Sequence, residues 1–362
     1  MHSLRVFVQT AAMAGVAFSL PSGTSTAKRA TCTVNSVDTA SDLSDCSAVV
    51  IEAFTVSSGN TVTISAASGA TITMSGDVTF SKTSSDGPLF TIDTDDVTFN
   101  GNGYTVDGQG AEYWDGEGTN GGVDKPHPFI KIKGSGTFSD FTVLNSPAQA
   151  VSVGTDGTTT IKGVTIDNSD GDVDELGHNT DGFDVSAEDV TITGCTVKNQ
   201  DDCIAINDGG SITFSNNTCS GGHGISIGSI SSDKSVSDVT ITGNTVTNSM
   251  YGTRIKVKAA ATDASVSGIT YSGNTISGIS KYGVLISQSY PDDVGTVGTG
   301  GPISDVNFTG DTTKVTVDSG AVNVAVNCGA CSGTWDWSAL EASGGDEGDI
   351  DSDDATISGG TY

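Results

Sequence analysis

The sequence predicts an all-β fold, a right-handed parallel β-helix with a short N-terminal capping helix. Gly is abundant, with 48 of 362 residues, while aromatic residues make up 6% and charged residues 16%. This composition favours strands and turns over helices. A short alternating segment also recurs, with clear copies starting 22, 27 and 30 residues apart. Repeats with periods of 20 to 50 residues are typical of solenoids.

Each copy of the repeat consists of a short strand, a Gly/Asn turn and a second short strand. The clear copies are 190–197, 212–219, 239–246 and 269–276, with looser ones at 97–103 and 159–166. One coil cannot bury its apolar side alone, so we expect the coils to stack around one core. The Asn residues of the turns tolerate left-handed geometry and can hydrogen-bond along the stack. Leucine-rich repeats would need regular leucines, and this chain has few.

The two ends of the chain differ from the repeat. Residues 1–20 predict a signal peptide, 21–29 a pro-peptide ending in the dibasic pair Lys28-Arg29, and 30–362 a single β-helix domain. The segment Ser41 to Phe54 predicts the capping helix, with Ser41 as its N-cap. The acidic, Gly- and Ser-rich segment Gly344 to Asp354 predicts a surface loop or a poorly ordered stretch.

Charge and cysteine content indicate a secreted protein that does not bind nucleic acid or membranes. Without residues 1–29 the chain has 12 Lys and Arg against 44 Asp and Glu, a formal charge of −32, which argues against polyanionic partners. Secretion favours disulfides. The simplest of several possible schemes joins neighbours and leaves Cys195 over: Cys32 with Cys46, Cys203 with Cys219, and Cys328 with Cys331. Two glycosylation sequons begin at Asn216 and Asn307.

Arg254 is the only arginine after the predicted leader, and it lies in Arg254-Ile255-Lys256. A forked guanidinium is suited to holding a carboxylate. We therefore expect an acidic ligand at this point of an acidic molecule. The alternative is a solvated strand end with a chance basic cluster.

Acidic groups precede Arg254 at intervals close to one coil. Asp181 is followed after 20 and 21 residues by Asp201 and Asp202, and His223 follows 22 residues after Asp201. Neighbouring coils are about 4.8 Å apart, so ionised carboxylates would repel each other and one pKa should rise. One protonated and one ionised carboxyl are what glycosidic cleavage needs. Taken singly, these residues could be turn residues, as is also predicted for the Asp pairs at 95–96, 292–293 and 353–354.

These motifs together resemble the fungal endopolygalacturonases. The matching motifs occur in the family order, and Tyr290 is similar to the family's later active-site tyrosine: Asn179-Thr-Asp181, Gln200-Asp-Asp202, Gly222-His-Gly224 and Arg254-Ile-Lys256. The resemblance covers roughly residues 30–340. A final cysteine pair is usual in the family, but this chain has none after Cys331, which leaves its terminal cap open.

The resemblance implies a secreted, monomeric enzyme that hydrolyses α-1,4-linked galacturonan without a metal or organic cofactor. It implies Asp201 as general acid, Asp181 and Asp202 as the groups that orient and activate water, and His223 as the group that tunes the acid. Asn179, Arg254, Lys256 and Tyr290 would bind the sugar. It also implies inversion, although carboxylates about 5 Å apart usually indicate retention. Pectin and plant inhibitor proteins are the partners implied.

Several alternatives to endo-hydrolysis remain. An exo-polygalacturonase or a rhamnogalacturonan hydrolase would share part of the motif set. A pectate lyase would need Ca²⁺ and would release unsaturated sugars, and a non-catalytic sugar-binding β-helix would need no ordered acid cluster. For the hydrolase we expect an acid pH optimum, between ionisation of the substrate and loss of the proton on the acid, whose reference pKa is about 3.9.

Overall fold

The structure, a computed structural model, describes residues 30–362. The predicted signal peptide and pro-peptide lie outside the described residues. The strands, numbered in chain order, are β1 (Ala30–Val34), β2 (Cys46–Ile51), β3 (Phe54–Val56), β4 (Val62–Ile64), β5 (Thr71–Met74), β6 (Val78–Phe80), β7 (Phe90–Ile92), β8 (Val97–Asn100), β9 (Thr105–Asp107), β10 (Ile130–Ile132), β11 (Gly136–Ser139), β12 (Thr142–Leu144), β13 (Val151–Val153), β14 (Thr159–Lys162), β15 (Thr165–Asp167), β16 (Phe183–Ser186), β17 (Val190–Thr193), β18 (Thr196–Asn199), β19 (Ile204–Ser215), β20 (Thr218–Gly221), β21 (Ile225–Ile230), β22 (Ser235–Thr242), β23 (Thr245–Lys258), β24 (Ser265–Ser272), β25 (Thr275–Tyr290), β26 (Ile303–Phe308), β27 (Thr313–Val317), β28 (Val322–Asn327), β29 (Cys331–Ser332), β30 (Thr334–Asp336), β31 (Leu340–Ser343), β32 (Ile350–Asp351) and β33 (Thr356–Ser358).

The strand pairs are parallel and join each coil to the next, which confirms the predicted parallel β-helix. On one face β8, β11, β14, β17, β19 and β22 pair in succession. On a second face, called here the site face, β7, β10, β13, β16, β19, β21 and β23 do so. β9, β12, β15, β18 and β20 form the third face.

The core is a continuous apolar column inside the coils. Alternate residues of each strand point inward, and a stack such as Phe183, Ile204 and Ile225 is fully buried. Aromatic rings close the column at its C-terminal end, where Phe308 packs edge-on against Trp337 and Trp337 contacts Tyr362. Stacking coils therefore buries the apolar residues that no single coil could bury.

Buried Asn side chains form a ladder beside the core, as expected from the turn sequences. Asn217 donates its side-chain amide to the Oδ1 of Asn244, and Asn244 donates to the Oδ1 of Asn274, at 3.1 and 3.0 Å. Cys195 occupies the preceding step, where its backbone N–H donates to Asn217. Each buried bond contributes about 1 kcal/mol, so the ladder fixes the register of these coils.

The N-terminal prediction was wrong in one respect. Residues 46–51 form a strand that pairs with β1 and β5, whereas the sequence predicted a helix from Ser41 to Phe54. The side chains of Val49, Val50 and Ile51 are β-branched, and they lose less conformational freedom in a sheet than in a helix. A shorter 3-10 helix, Asp38–Ala40, with Leu43, covers this end of the core.

Three disulfides join the neighbouring pairs named above, and Cys195 is free and buried. The acidic segment after Gly344 is largely exposed, as predicted, but it is not a free loop. Its residues 350–351 pair with β28, and Ala355 is buried. Backbone pairing with the last coil holds this segment in place despite its charge.

Three further 3-10 segments lie in the connections between strands. Gly110–Glu112 and Gly118–Asn120 belong to the long β9–β10 connection, and Ser169–Glu175 follows β15, with a break at Val173 and Asp174. Within the β9–β10 connection, Asp115 and Lys125 form an ion pair, with Nζ and Oδ1 2.8 Å apart, that braces the connection internally. Within residues 30–362 we find no helix long and apolar enough to cross a membrane.

Candidate active site

The site face positions one row of outward side chains across consecutive coils. Asp184, Ala205, Ser226, Arg254 and Leu285 occupy equivalent positions in β16, β19, β21, β23 and β25. Their chain neighbours point into the core, so alternation along each strand directs this row outward. The row forms the floor of a groove, and the connections that enter these strands form its wall.

The structure brings all eight predicted residues of catalysis and sugar binding to this groove. Six of them line it: Asn179, Asp201, His223, Arg254, Lys256 and Tyr290. Asp181 and Asp202 lie beneath the surface, with exposed fractions of 8% and 0%. Backbone bonds fix their order, because Gly182 donates to the carbonyl of Asp202 and His223 donates to that of Asp201, both at 2.8 Å.

Asp202 is buried and its carboxylate oxygens are engaged by the protein. Arg254 Nη2 donates to Oδ1 at 2.8 Å, Ser226 Oγ donates to the same oxygen at 2.7 Å, and Lys256 Nζ donates to Oδ2 at 2.5 Å. Two cations compensate the cost of burying this charge. Both oxygens accept hydrogen bonds from the protein in this structure, and the predicted role of Asp202 in orienting and activating water stays a prediction.

Among the three predicted catalytic carboxyls, Asp201 is the one that lines the groove, with 14% of its side chain exposed. Its Oδ1 accepts hydrogen bonds from His223 Nδ1 at 2.9 Å and from the backbone N–H of Asp202 at 2.8 Å. Burial raises the pKa of Asp201, but the hydrogen bond and charge of His223, with Lys256, outweigh burial and lower that pKa to about 2. In the unliganded structure Asp201 is therefore ionised.

Protonation within this cluster is favoured on Asp181 and Asp184 rather than on Asp201. Burial, followed by repulsion from Asp201, Asp184 and Asp202, raises the pKa of Asp181 well above its ordinary value. The sequence predicted that one pKa would rise, and the structure raises two, those of Asp181 and Asp184. Because Asp181 and Asp201 repel each other when both are ionised, their titrations are coupled.

Asn179 links Asp201 to the β9–β10 connection. Its Oδ1 accepts from the backbone N–H of Thr119 at 3.0 Å, and its Nδ2 donates to Asp201 Oδ2 at 3.2 Å. The backbone donor fixes the amide orientation, since only the oxygen can accept from it. Asn179 has a left-handed backbone, with φ of 51°, which Asn tolerates better than most residues.

Arg254 and Lys256 are basic groups of the groove, as the sequence predicted. In the structure both form ion pairs with Asp202. Arg254 Nε also donates to Ser226 Oγ at 3.2 Å. Arg254 Nη1 has no hydrogen-bond partner among residues 30–362, so one edge of the fork is available to a ligand. Tyr290 lies beside Lys256, whose Nζ is 5.4 Å from the centre of the phenol ring.

The structure adds five residues that the sequence analysis did not assign: Asp184, Ser226, Tyr251, Lys281 and Asp293. Ser226 lies two residues after the Gly222-His-Gly224 motif, and only the strand register places it opposite Arg254. Asp293 was interpreted as a turn residue, yet it accepts a hydrogen bond from Tyr251. No local pattern marks it, because its partner is 42 residues away.

A metal ion is conceivable from geometry alone, since donor atoms of Asp201, Asp202 and His223 lie within 4.8 Å of one another. These atoms are engaged by protein donors, and Asp202 already carries two cations. A further cation would have to displace Arg254 or Lys256. The donor set fits an acid–base site better than a metal site.

A disulfide supports the site from below. Cys203 follows Asp202 directly and is bonded to Cys219, with a Cα–Cα distance of 5.8 Å. The bond ties the start of β19 to β20 on the next coil. It therefore restrains the backbone that carries Asp201 and Asp202.

Comparisons with known proteins agree with this geometry. The model of the glycosyl hydrolases family 28 matches residues 46–355. The chain is 47% identical over 302 residues to an endo-polygalacturonase of Sclerotinia sclerotiorum, covering 80% of this chain and 78% of that protein. It is 44% identical over 364 residues to endopolygalacturonase A of Aspergillus niger, covering 96% of each.

Among solved structures, endopolygalacturonase I from Stereum purpureum, complexed with two galacturonate, superposes with a TM-score of 0.91 at 64% identity. The alignment covers 91% of this chain and all of that one. These findings confirm the resemblance that the four motifs indicated. The chain belongs to the glycosyl hydrolases family 28 and is a glycoside hydrolase.

Proposed function

We propose that this chain hydrolyses α-1,4-galacturonosyl linkages inside polygalacturonate, the unesterified backbone of pectin. The observation that carries the proposal is the groove itself. It joins three aspartates and a histidine to the only arginine of residues 30–362, on a protein of strongly acidic composition. The relatives named endopolygalacturonases, and the galacturonate in the Stereum purpureum structure, support this substrate and endo action.

Arg254 and Lys256 recognise the substrate through its carboxylate. The available Nη1 edge of Arg254 is a charge-assisted donor in a site that is mostly shielded from water, where such bonds are strong. Asp202 holds both cations in place and keeps the net charge of the cluster low. Tyr290 borders the same part of the groove and contacts the sugar ring.

The proton needed for cleavage comes from the coupled pair of Asp181 and Asp201. A bound uronate displaces water and adds negative charge beside Asp201, and both effects raise the pKa of a carboxyl. The proton then resides on Asp201, which faces the leaving oxygen as the general acid. Asp181, left ionised, activates the attacking water.

His223 controls when this transfer occurs. Its hydrogen bond keeps Asp201 ionised until substrate arrives, so the acid carries its proton only in the complex. We expect an acid optimum, because the pair of Asp181 and Asp201 loses its proton at higher pH. We also keep the prediction of inversion, which proton NMR of the first product anomer would test.

The test is a digest of polygalacturonate by the purified protein, followed by reducing-end assay and product sizing. Mixed oligomers early in the digest are expected. Monomer alone would indicate an exo-enzyme, and an absorbing unsaturated product lost on chelation would indicate a lyase. New reducing ends from rhamnogalacturonan alone would show that rhamnogalacturonan, not polygalacturonate, is the substrate. If none of these polymers gained reducing ends, hydrolysis would be refuted and sugar binding favoured.

Secretion and partners belong to the same proposal. The acidic composition, the three disulfides and the predicted leader support an extracellular monomer acting on plant cell walls. Plant inhibitor proteins that cover such a groove are the macromolecular partners we expect. Mass spectrometry of the secreted protein, with light scattering, tests leader removal and oligomeric state together.

A further inference from the structure

Tyr251 lies where the two groups that orient the catalytic carboxyls meet. The ring is 4% exposed. The guanidinium carbon of Arg254 lies 4.1 Å from the ring centre, and the imidazole of His223 packs against the ring edge-on, with centres 5.8 Å apart and planes at 90°. One aromatic side chain thus contacts both residues.

Each of these two residues controls a different aspartate. Arg254 is paired with Asp202, and His223 is hydrogen-bonded to Asp201. An aromatic face against a guanidinium attracts it electrostatically, and more strongly when the pair is shielded from water. A displacement of the Tyr251 ring would therefore loosen the partners of both carboxyls at once.

Tyr251 is itself held from three sides. Its hydroxyl donates to the carboxylate of Asp293 at 2.9 Å, and Lys281 Nζ donates to the hydroxyl at 3.2 Å while pairing with Asp293. The ring of Tyr282 stacks parallel to that of Tyr251, with centres 6.2 Å apart. Asp293 belongs to the β25–β26 connection, so this connection is fastened to the groove through the tyrosine.

We propose that Tyr251 is a positioning residue for the hydrolysis, holding Arg254 for the substrate carboxylate and His223 for Asp201. The inference rests on the proposed function, because it assumes the roles proposed there for Arg254 and His223. It adds that substrate binding, measured by KM, and turnover, measured by kcat, both depend on the Tyr251 ring. A tyrosine that merely packs would affect stability and leave both kinetic constants unchanged.

The experiment compares three variants on polygalacturonate: Tyr251→Leu, Tyr251→Phe and Tyr271→Leu. Tyr251→Leu removes the aromatic face, and we expect kcat to fall and KM to rise, with kcat/KM lower by roughly tenfold or more, since tenfold corresponds to about 1.4 kcal/mol of transition-state binding. Tyr251→Phe keeps the face and is expected to stay within roughly threefold of the unmodified protein. If Tyr251→Leu does not fold, Tyr251→Met, which is closer in length, replaces it.

Tyr271→Leu is the matched control. It also removes a buried tyrosine ring that stacks on another aromatic ring, here Phe308 with centres 4.6 Å apart, but Tyr271 lies in the core and does not line the groove. We expect it to lower the melting temperature about as much as Tyr251→Leu while leaving kcat and KM nearly unchanged. Unchanged kinetics in the folded Tyr251→Leu or Tyr251→Met protein, or equal kinetic losses in both tyrosine positions, would overturn the inference. Failure of the unmodified protein to release reducing ends would instead overturn the proposed function.

Discussion

Asp184 provides a direct test of how a buried carboxyl makes the stability of this protein depend on pH. It lies in the site row beside Ala205, accepts a hydrogen bond from Asn207 at 3.3 Å, and is partly buried. Burial, followed by repulsion from Asp202 and Asp201, raises the pKa of Asp184 from 3.8 to about 7. The perturbation is Asp184→Asn, which keeps the acceptor oxygen and removes the titration.

The sign of the effect follows from proton binding. Between about pH 4 and pH 7 the folded protein holds a proton on Asp184 that the unfolded chain has lost, so stability falls as pH rises through this range. A pKa rise from 3.8 to about 7 corresponds to about 4 kcal/mol. That figure is an upper bound, because Asp184 shares its interactions with Asp201 and Asp202; we expect a loss of about 2 to 4 kcal/mol.

The assay is urea unfolding of both proteins at pH 4.5 and pH 7.5. The unmodified protein should lose more stability between the two pH values than Asp184→Asn, and the difference between the two losses is the contribution of Asp184. Glu188→Gln, which removes an exposed carboxylate from the turn after β16, should leave the pH dependence almost unchanged. The same pH dependence in Asp184→Asn as in the unmodified protein would refute the reasoning.

Three further substitutions test the site and the core. Asp201→Asn should abolish nearly all turnover while the melting temperature stays within a few degrees, because the amide keeps an acceptor for His223; substantial turnover in a reducing-end assay would remove Asp201 from the acid role. Arg254→Lys should lower kcat/KM roughly tenfold to a hundredfold, since losing charged hydrogen bonds costs about 1.5 to 3 kcal/mol; a Lys variant with unchanged steady-state kinetics would contradict it. Thr253→Val should stabilise the protein by about 1 kcal/mol in urea unfolding, because the Thr253 hydroxyl is buried without a hydrogen-bond partner among residues 30–362; a lower midpoint would show that it is satisfied.

The sequence by itself determined the coil architecture and the membership of the groove. Alternation and Gly/Asn turns are local, and a repeat of local units stacks in only a few ways, so the order of Asp181, Asp201, His223 and Arg254 along the chain already gave their order along the groove. The helix predicted from Ser41 to Phe54 was wrong for the opposite reason. The strand 46–51 is stabilised by its neighbours in the sheet, and pairing overrode the local helix signal.

Only the tertiary structure decided where the proton and the charges reside. The coils differ in length, so spacing could not show that Ser226 and Arg254 lie side by side on Asp202, or that Asp293 reaches Tyr251 from a loop. The pKa of a carboxyl depends on burial and on every charge near it, whatever the distance along the chain. Residue types and spacing therefore predicted which residues meet at the groove, while three-dimensional packing raised the pKa of Asp181 and Asp184 and paired two cations with Asp202.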